Sequence, residues 1–245
     1  MNKPILIIGD CCLDVFVYCS CSRLCPEGPV PVLDIVETKI NHGMAGNVKR
    51  NAKALNAESE LLCNENFEQI TKTRYVDKES NHLFIRIDSP AKIKRIENLE
   101  NIDFSKYRAV IISDYNKGFL EKEDIQFIAK SHPVTFIDTK KILGDWIKDI
   151  SYIKINKKEF LASENFITES IKNKVITTLG GNGCEYQGEN FPSELVEVKD
   201  LSGAGDTFLA ALVVKYLENM DIKESIKFAN KCAGLVVQKR GVSTI

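Results

Sequence analysis

Residues 202–206 read SGAGD, and they carry the strongest chemical signal in the chain. The loop stands between ELVEVKD, which reads as strand-like, and the apolar segment TFLAALVVKYLE, which reads as a helix. Gly203, Ala204 and Gly205 at a helix start would leave several backbone N–H groups free, and such a cluster binds anions. Asp206 then places a carboxylate where a bound phosphate would be repelled. The conflict resolves if two substrates meet there. The amides would hold charge building on a phosphoryl group in transfer, and Asp206 would take the proton of an attacking hydroxyl. The helix dipole would keep that carboxylate ionised. The plain alternative is an N-cap beside turn-forming glycines. Neither the P-loop nor the dinucleotide fingerprint is present at this loop.

Two further groupings suit the same chemistry. In HGMAGNVKRNAKAL, Gly43 and Gly46 precede a helical pattern and Asn47 stands at its mouth, so backbone can approach a polyol closely while an amide donates and accepts. Asp14 could accept hydrogen bonds from two sugar hydroxyls. Taken singly, Asn47 reads equally as a cap and Asp14 as a turn residue. In NKKE, Asn156 and Glu159 offer oxygen ligands that would serve Mg²⁺ beside a triphosphate, directly or through water; a capping pair is the alternative.

The elements that must position these residues follow from periodicity. ILIIG (5–9) is a short continuous apolar run, as in a buried strand of a parallel sheet. VFVYCSCS and VPVLDIVETKI, then TKTRYVD and NHLFIRID, predict an antiparallel β flap over 15–40 and 72–88. Val48, Ala52 and Leu55 repeat at helical spacing. From residue 108 strands alternate with helices: RAVIISD, EKEDIQFIAKS, VTFIDT, LGDWIKD, SYIKIN, KKEFLAS, KVITTLG, a hairpin-like GCEYQGENF, and helices over 206–219 and 223–238. That rhythm predicts a parallel sheet with ligands beyond the carboxyl ends of its strands.

The 245 residues suit one α/β domain, 1–245, and 33 basic against 34 acidic residues leave a net charge of -1, so no electrostatic footprint points to nucleic acid or an anionic membrane. No stretch approaches a membrane span and the N-terminus lacks a signal-peptide core, so a cytoplasmic protein is expected. Cys11, Cys12, Cys19, Cys21 and Cys25 crowd together, but no pair has C-x-x-C spacing and no histidine is near. They are expected to be free thiols serving as small apolar filler.

Together GDCCLD, HGMAGN, NKKE, DLSGAGDTF and FANKCAGLVV resemble the PfkB or ribokinase family of carbohydrate kinases across nearly the whole chain. The resemblance implies a ribokinase-like three-layer α/β/α fold with a mostly parallel central sheet and a small β lid. It also implies an ATP- and Mg²⁺-dependent sugar kinase with Asp206 as base and Gly203, Ala204 and Gly205 as the anion hole. Asp14, Gly43 and Asn47 match sugar-binding positions. Asn156, Thr178, Gly180, Gly181, Gly183 and Asn230 match positions along the nucleotide, with Glu159 near Mg²⁺. Asp200 and Ser202, with GVST (241–244), look like a monovalent-cation loop suited to K⁺.

RLCPEGPVPVL, SDYNKGFL, DTK and KRGVST are similar to segments of bacterial kinases that phosphorylate C1 of heptose 7-phosphate. That likeness puts Lys117 and Lys140 near phosphates, against the alternative of solvated surface lysines. Family members commonly carry a further strand and helix after the segment matching LNAESELL, so a trimmed sheet edge is expected. The lid is expected to pair with a second copy. The competing reading is a catalytically silent sugar- or nucleotide-binding protein of the same fold.

Overall fold

The computed structural model describes residues 3–245. Eight strands form the central sheet: β1 (Ile5–Gly9), β4 (Ser59–Cys63), β7 (Ala109–Asp114), β8 (Thr135–Thr139), β9 (Tyr152–Asn156), β10 (Val175–Thr178), β11 (Cys184–Tyr186) and β12 (Glu189–Phe191). Their order is β12-β11-β10-β9-β8-β7-β1-β4. All neighbours from β4 to β10 are parallel, and the β11/β12 hairpin adds antiparallel strands at one edge.

Among the described residues there are six α-helices: α1 (Ala45–Ala54), α2 (Lys122–Ser131), α3 (Lys157–Ser163), α4 (Glu169–Lys172), α5 (Ala204–Asn219) and α6 (Ile222–Val236). Strand residues alternate between two cores, because successive side chains leave opposite faces of a strand. Ile5 and Ile7 join α1, α5 and α6 on one side, whereas Leu6 and Ile8 join α2 on the other. The result is the three-layer sandwich.

The lid is a separate four-stranded sheet of β3 (Pro31–Met44), β2 (Cys11–Leu24), β5 (Thr71–Asp77) and β6 (Leu83–Asp88), in that order. The two hairpins are antiparallel, but they join through a parallel β2/β5 pairing, so the flap is mixed rather than antiparallel throughout. β3 runs straight into α1 at Met44, whose φ of 56° marks the joint.

Three expectations change. ELVEVKD forms no strand: it joins neither sheet, and Leu195 and Val198 face solvent. LGDWIKD makes only a 3₁₀ turn, Asp145–Ile147. All eight cysteines are free thiols; Cys11, Cys12 and Cys19 are buried filler, whereas Cys21 is exposed and Cys25 half-buried, so the filler reading fails for those two. β4 ends the sheet on its own side, consistent with a trimmed edge.

Candidate active site

Asp206 lies in the first turn of α5 and is buried. Both carboxylate oxygens are held: Asn47 Nδ2 donates to Oδ2 at 3.0 Å, and the Tyr115 hydroxyl donates to Oδ1 at 2.7 Å. Asn47 is not an N-cap, since α1 begins two residues earlier; it reaches from inside the first turn. One turn on, Asn51 Nδ2 donates to the Asn47 carbonyl at 3.0 Å, and Thr207 Oγ1 donates to Asn51 Oδ1 at 3.1 Å, which locks α1 to α5. Gly203 starts α5 with φ 83°, and a Cβ there would lie 2.6 Å from Asn47 Nδ2, so the loop demands glycine.

Burial decides the charge state of Asp206. A helix N-terminus favours a carboxylate by about 0.3–1 kcal/mol, less than one pKa unit. Desolvation outweighs it and, against the hydrogen bonds from Asn47 and Tyr115, pushes the carboxyl up to about 6. The dipole is therefore not the dominant influence; the group remains mostly ionised at neutral pH, and a base closer to neutrality is the better proton acceptor. At the expected anion hole the Ala204 N–H contacts Leu201 O at 3.3 Å, whereas among the described residues the N–H groups of Gly203, Gly205 and Asp206 meet no backbone acceptor outside the helix.

A buried charge chain lies beneath this loop. Lys154 on β9 bonds Asp138 Oδ2 on β8 at 2.5 Å; Lys140 bridges Asp138 Oδ1 at 3.0 Å and Glu159 Oε1 at 2.6 Å. A Cβ on Gly205 would lie 3.0 Å from Lys154 Nζ, so the ammonium sits directly against the glycine loop. Burial raises the Asp138 carboxyl, but the two ammonium groups outweigh it and hold it below the ordinary range. Lys140 is thus an ion-pair bridge rather than a solvated lysine, and Lys141 is buried against Asp114 at 2.8 Å.

Asp14 on β2 pairs with Arg74 of β5 at 2.6 Å, and Arg74 lies over the Phe16 ring. A Cβ on Gly43 would fall 2.1 Å from Asp14 Oδ2, so only glycine leaves this carboxylate its place. The 115–119 loop is gathered by Asp10, which accepts from the N–H groups of Tyr115 (2.7 Å) and Phe119 (3.2 Å). Lys117 in that loop is exposed.

Other positions divide. Asn156 and Thr178 face each other across β9 and β10, so the NKKE turn and the 178–183 loop meet as expected. Asn156 and Glu159 form a capping box, and Glu159 also holds Lys140, so its oxygens are already engaged. Gly180 has φ 61°, and Gly180 and Gly181 have open space at the Cβ position. Gly183 is required by packing, since a Cβ would lie 2.0 Å from Phe191 O. Asn230 turns inward and donates to Phe191 O at 2.8 Å. That bond anchors β12 through the Asn230 Nδ2. Asp200 accepts from Ser202 N at 2.8 Å and Gly241 N at 3.0 Å, joining the two segments of the expected cation loop.

Sequence reasoning missed Tyr115, Arg74 and Lys154, and touched Asp138 only as part of the DTK segment. Tyr115 touches the candidate base; its ring also carries Lys72 and Lys140 ammonium groups at 4.8 and 5.3 Å. Its hydroxyl lowers the Asp206 pKa, so Tyr115→Phe should move the acid limb of the kcat–pH profile to higher pH. At pH 6 activity should fall more than at pH 8. An unmoved profile would remove Tyr115 from this role.

Residues 64–245 match the family model described as pfkB family carbohydrate kinase. The chain is 31% identical, over 294 aligned positions, to the Bifunctional protein HldE of a Nitratiruptor species, covering 100% of this chain and 63% of that relative. It therefore spans less than two thirds of that protein, and the alignment is longer than the chain, so the relative carries residues this chain lacks. Among solved structures, the ribokinase of Arabidopsis thaliana complexed with ribose and ATP superposes with TM-score 0.70 at 16% identity, covering 98% of this chain and 94% of that one. Phosphofructokinase-2 from Escherichia coli in complex with potassium gives 0.71 at 14% identity, covering 99% and 94%. The fold is thus ribokinase-like, and the chain belongs to the pfkB family of carbohydrate kinases.

Proposed function

We propose that the protein transfers the γ-phosphoryl group of ATP to a hydroxyl of a sugar or sugar phosphate, with heptose 7-phosphate the favoured acceptor. The observation that carries this reading is the Asp206 carboxylate, buried at a glycine-started helix and held by Asn47 and Tyr115 beside unpartnered backbone N–H groups. Asp206 takes the proton of the acceptor hydroxyl as its oxygen bonds the γ-phosphorus and the bond to the ADP oxygen breaks. The Gly205 and Asp206 amides, backed by Lys154, hold the charge on the transferring group.

Mg²⁺ fits as an ion held mainly by the nucleotide's own phosphates, because Glu159 is the nearby carboxylate and is shared with Lys140. It supplies neutralisation of phosphate charge. Asp200, Ser202 and residues 241–244 suit K⁺, and the Escherichia coli structure with potassium supports that choice. The Arabidopsis complex with ribose and ATP supports a sugar acceptor and ATP. The HldE relatives and the matching segments favour heptose 7-phosphate. A coupled ATP-consumption assay over sugars and sugar phosphates tests the reading: turnover is expected with a sugar phosphate, and binding without turnover across the panel would overturn it.

The lid supports a dimer. By register, Ile40, Val15, Thr73 and Ile87 form one row across its four strands, and Val17, Tyr75 and Ile85 continue the same face. Ile40, Ile85 and Ile87 are each more than half exposed, an apolar surface that a second lid would cover. Light scattering is expected to give a dimer, and Ile40→Glu with Ile87→Glu a folded monomer. A monomeric wild-type protein at working concentration would count against the pairing.

A further inference from the structure

A cavity of about 390 Å³ opens between the lid, α1 and the C-terminal segment, away from the Asp206 carboxylate. Its size is at the low end of the range, about 300–1,000 Å³, common for small-molecule sites. Four cationic side chains line it, Lys39, Arg50, Lys239 and Arg240, together with Asn41 and Ser243, and no carboxylate does. Three of those cations are committed. Arg240 donates to the carbonyls of Lys78 and Glu79 at 2.5 and 2.7 Å, Lys239 donates to Thr244 O at 2.7 Å, and Lys39 lies 3.3 Å from Glu37.

Arg50 differs. Its Nη1 is buried and has no hydrogen-bond partner among the described residues. A guanidinium donor left unpaired out of water is costly, so a native fold that keeps one has a use for it. Burial lowers the Arg50 pKa, and the charge of Asp14 opposes that, so the two groups sense each other. The location is informative as well. Arg50 is one turn beyond Asn47 on α1, about 5 Å along the axis. Val242, another wall, would lie 3.2 Å from a Cβ on Gly203. The cavity therefore lies beside the Asn47 end of the expected acceptor cradle.

We propose that this cavity is an anion site for a phosphate group, with the Arg50 guanidinium, its Nη1 turning out from the wall, as principal donor and the Asn41 amide as a neutral partner; the Ser243 hydroxyl already donates to Arg240 O at 3.0 Å. Lys39, Lys239 and Arg240 raise the local potential without moving from their own partners. Such a site gives the acceptor's far end a place: a sugar whose reacting hydroxyl meets Asp206 and whose ring meets Asp14 would present its own phosphate to Arg50. This part rests on the kinase reading above. A free phosphate-bearing ion could occupy the same donors.

The test uses the full chain and its Arg50→Gln and Arg50→Lys variants, with inorganic phosphate as probe. Melting temperature with and without millimolar phosphate is read first. Wild type should be stabilised, part of that gain should vanish in Arg50→Gln, and Arg50→Lys should retain some of it. Phosphate held only at the glycine loop would stabilise wild type and Arg50→Gln equally and would overturn the proposal, as would no shift in wild type. Kinetics then separates the sources. If the phosphate is the acceptor's own, Arg50→Gln should raise KM for heptose 7-phosphate by about ten- to a hundredfold with kcat little changed, and inorganic phosphate should compete with the acceptor. If the site takes a free ion, phosphate should change the rate without competing, and that effect should be lost in Arg50→Gln. Because the melting shift needs no turnover, absence of kinase activity would sink the kinase reading while leaving the site standing.

Discussion

Asp206→Asn is expected to lower kcat by about 10²- to 10⁴-fold while making the protein more stable at neutral pH. The loss follows from removing the proton acceptor. Asn can still accept from Asn47 and donate to the Tyr115 hydroxyl, so the site keeps its shape. The gain follows from burial: the carboxyl is raised to about 6 in the fold, from 3.8 when solvated. A raised pKa means that ionisation costs the folded state stability, so the protonated form is the favoured one. That advantage is fully present below about pH 4 and is lost as pH rises through about 6. Above that, wild type carries a cost on the order of 1–3 kcal/mol that the amide lacks. The variant should melt a few degrees higher at pH 7 and equally at pH 4. In wild type, kcat should fall as pH drops below about 6. A folded variant with near wild-type kcat would end the assignment of the base.

Asp138→Ala should be the most damaging single change away from the base. Lys154 and Asp138 are 3% and 4% exposed, and removing the carboxylate strands an ammonium in the sheet interior. Breaking a buried pair on one side costs about 3–5 kcal/mol, against a total of about 5–15 kcal/mol for a whole domain. Lys94–Glu97 offers the contrast. It lies on the surface, and Glu97→Ala should leave the melting curve where it is. Restoring neutrality with Asp138→Leu and Lys154→Met together should recover most of the stability, because the pair is worth little against an apolar replacement. Activity should not return, since Lys154 also backs the anion hole. Denaturant midpoints at unchanged slope measure the first effect, and equal midpoints for wild type and Asp138→Ala would refute it.

What the sequence disclosed follows the range of the interactions involved. The sheet was legible because ILIIG reads as a continuous apolar run and short apolar stretches such as AVII alternate with helical patterns from residue 108, as strands buried on both faces require. The helix over Ala45–Ala54 was legible from Val48 and Ala52 at i, i+4. ELVEVKD misled because alternation marks a strand only where a partner strand and a core face receive it, and here Leu195 and Val198 stay in solvent. The parallel β2/β5 contact joins residues some sixty positions apart, which no local pattern reports. Asp206 stood out by its loop, but its partners Asn47 and Tyr115 lie 159 and 91 positions away. Lys154 sits in a strand whose other residues read as core, and nothing nearby in the chain names Asp138 as its counter-ion. The raised pKa of the base was not legible for a related reason. The dipole is local and visible in sequence, whereas burial belongs to the assembled molecule.

The hydrogen bonds that join α1 to α5 bear on how the protein folds. Asn47 with Asp206 and Asn51 with Thr207 tie the first fifth of the chain to the last, across 159 and 156 positions. Closing so long a loop comes late and slowly compared with winding a helix. No fragment that lacks either end, and no intermediate in which the two ends have yet to dock, can hold the candidate base in place. During refolding, then, catalytic competence should lag the recovery of helical signal, and it reports the moment at which the two ends of the chain meet.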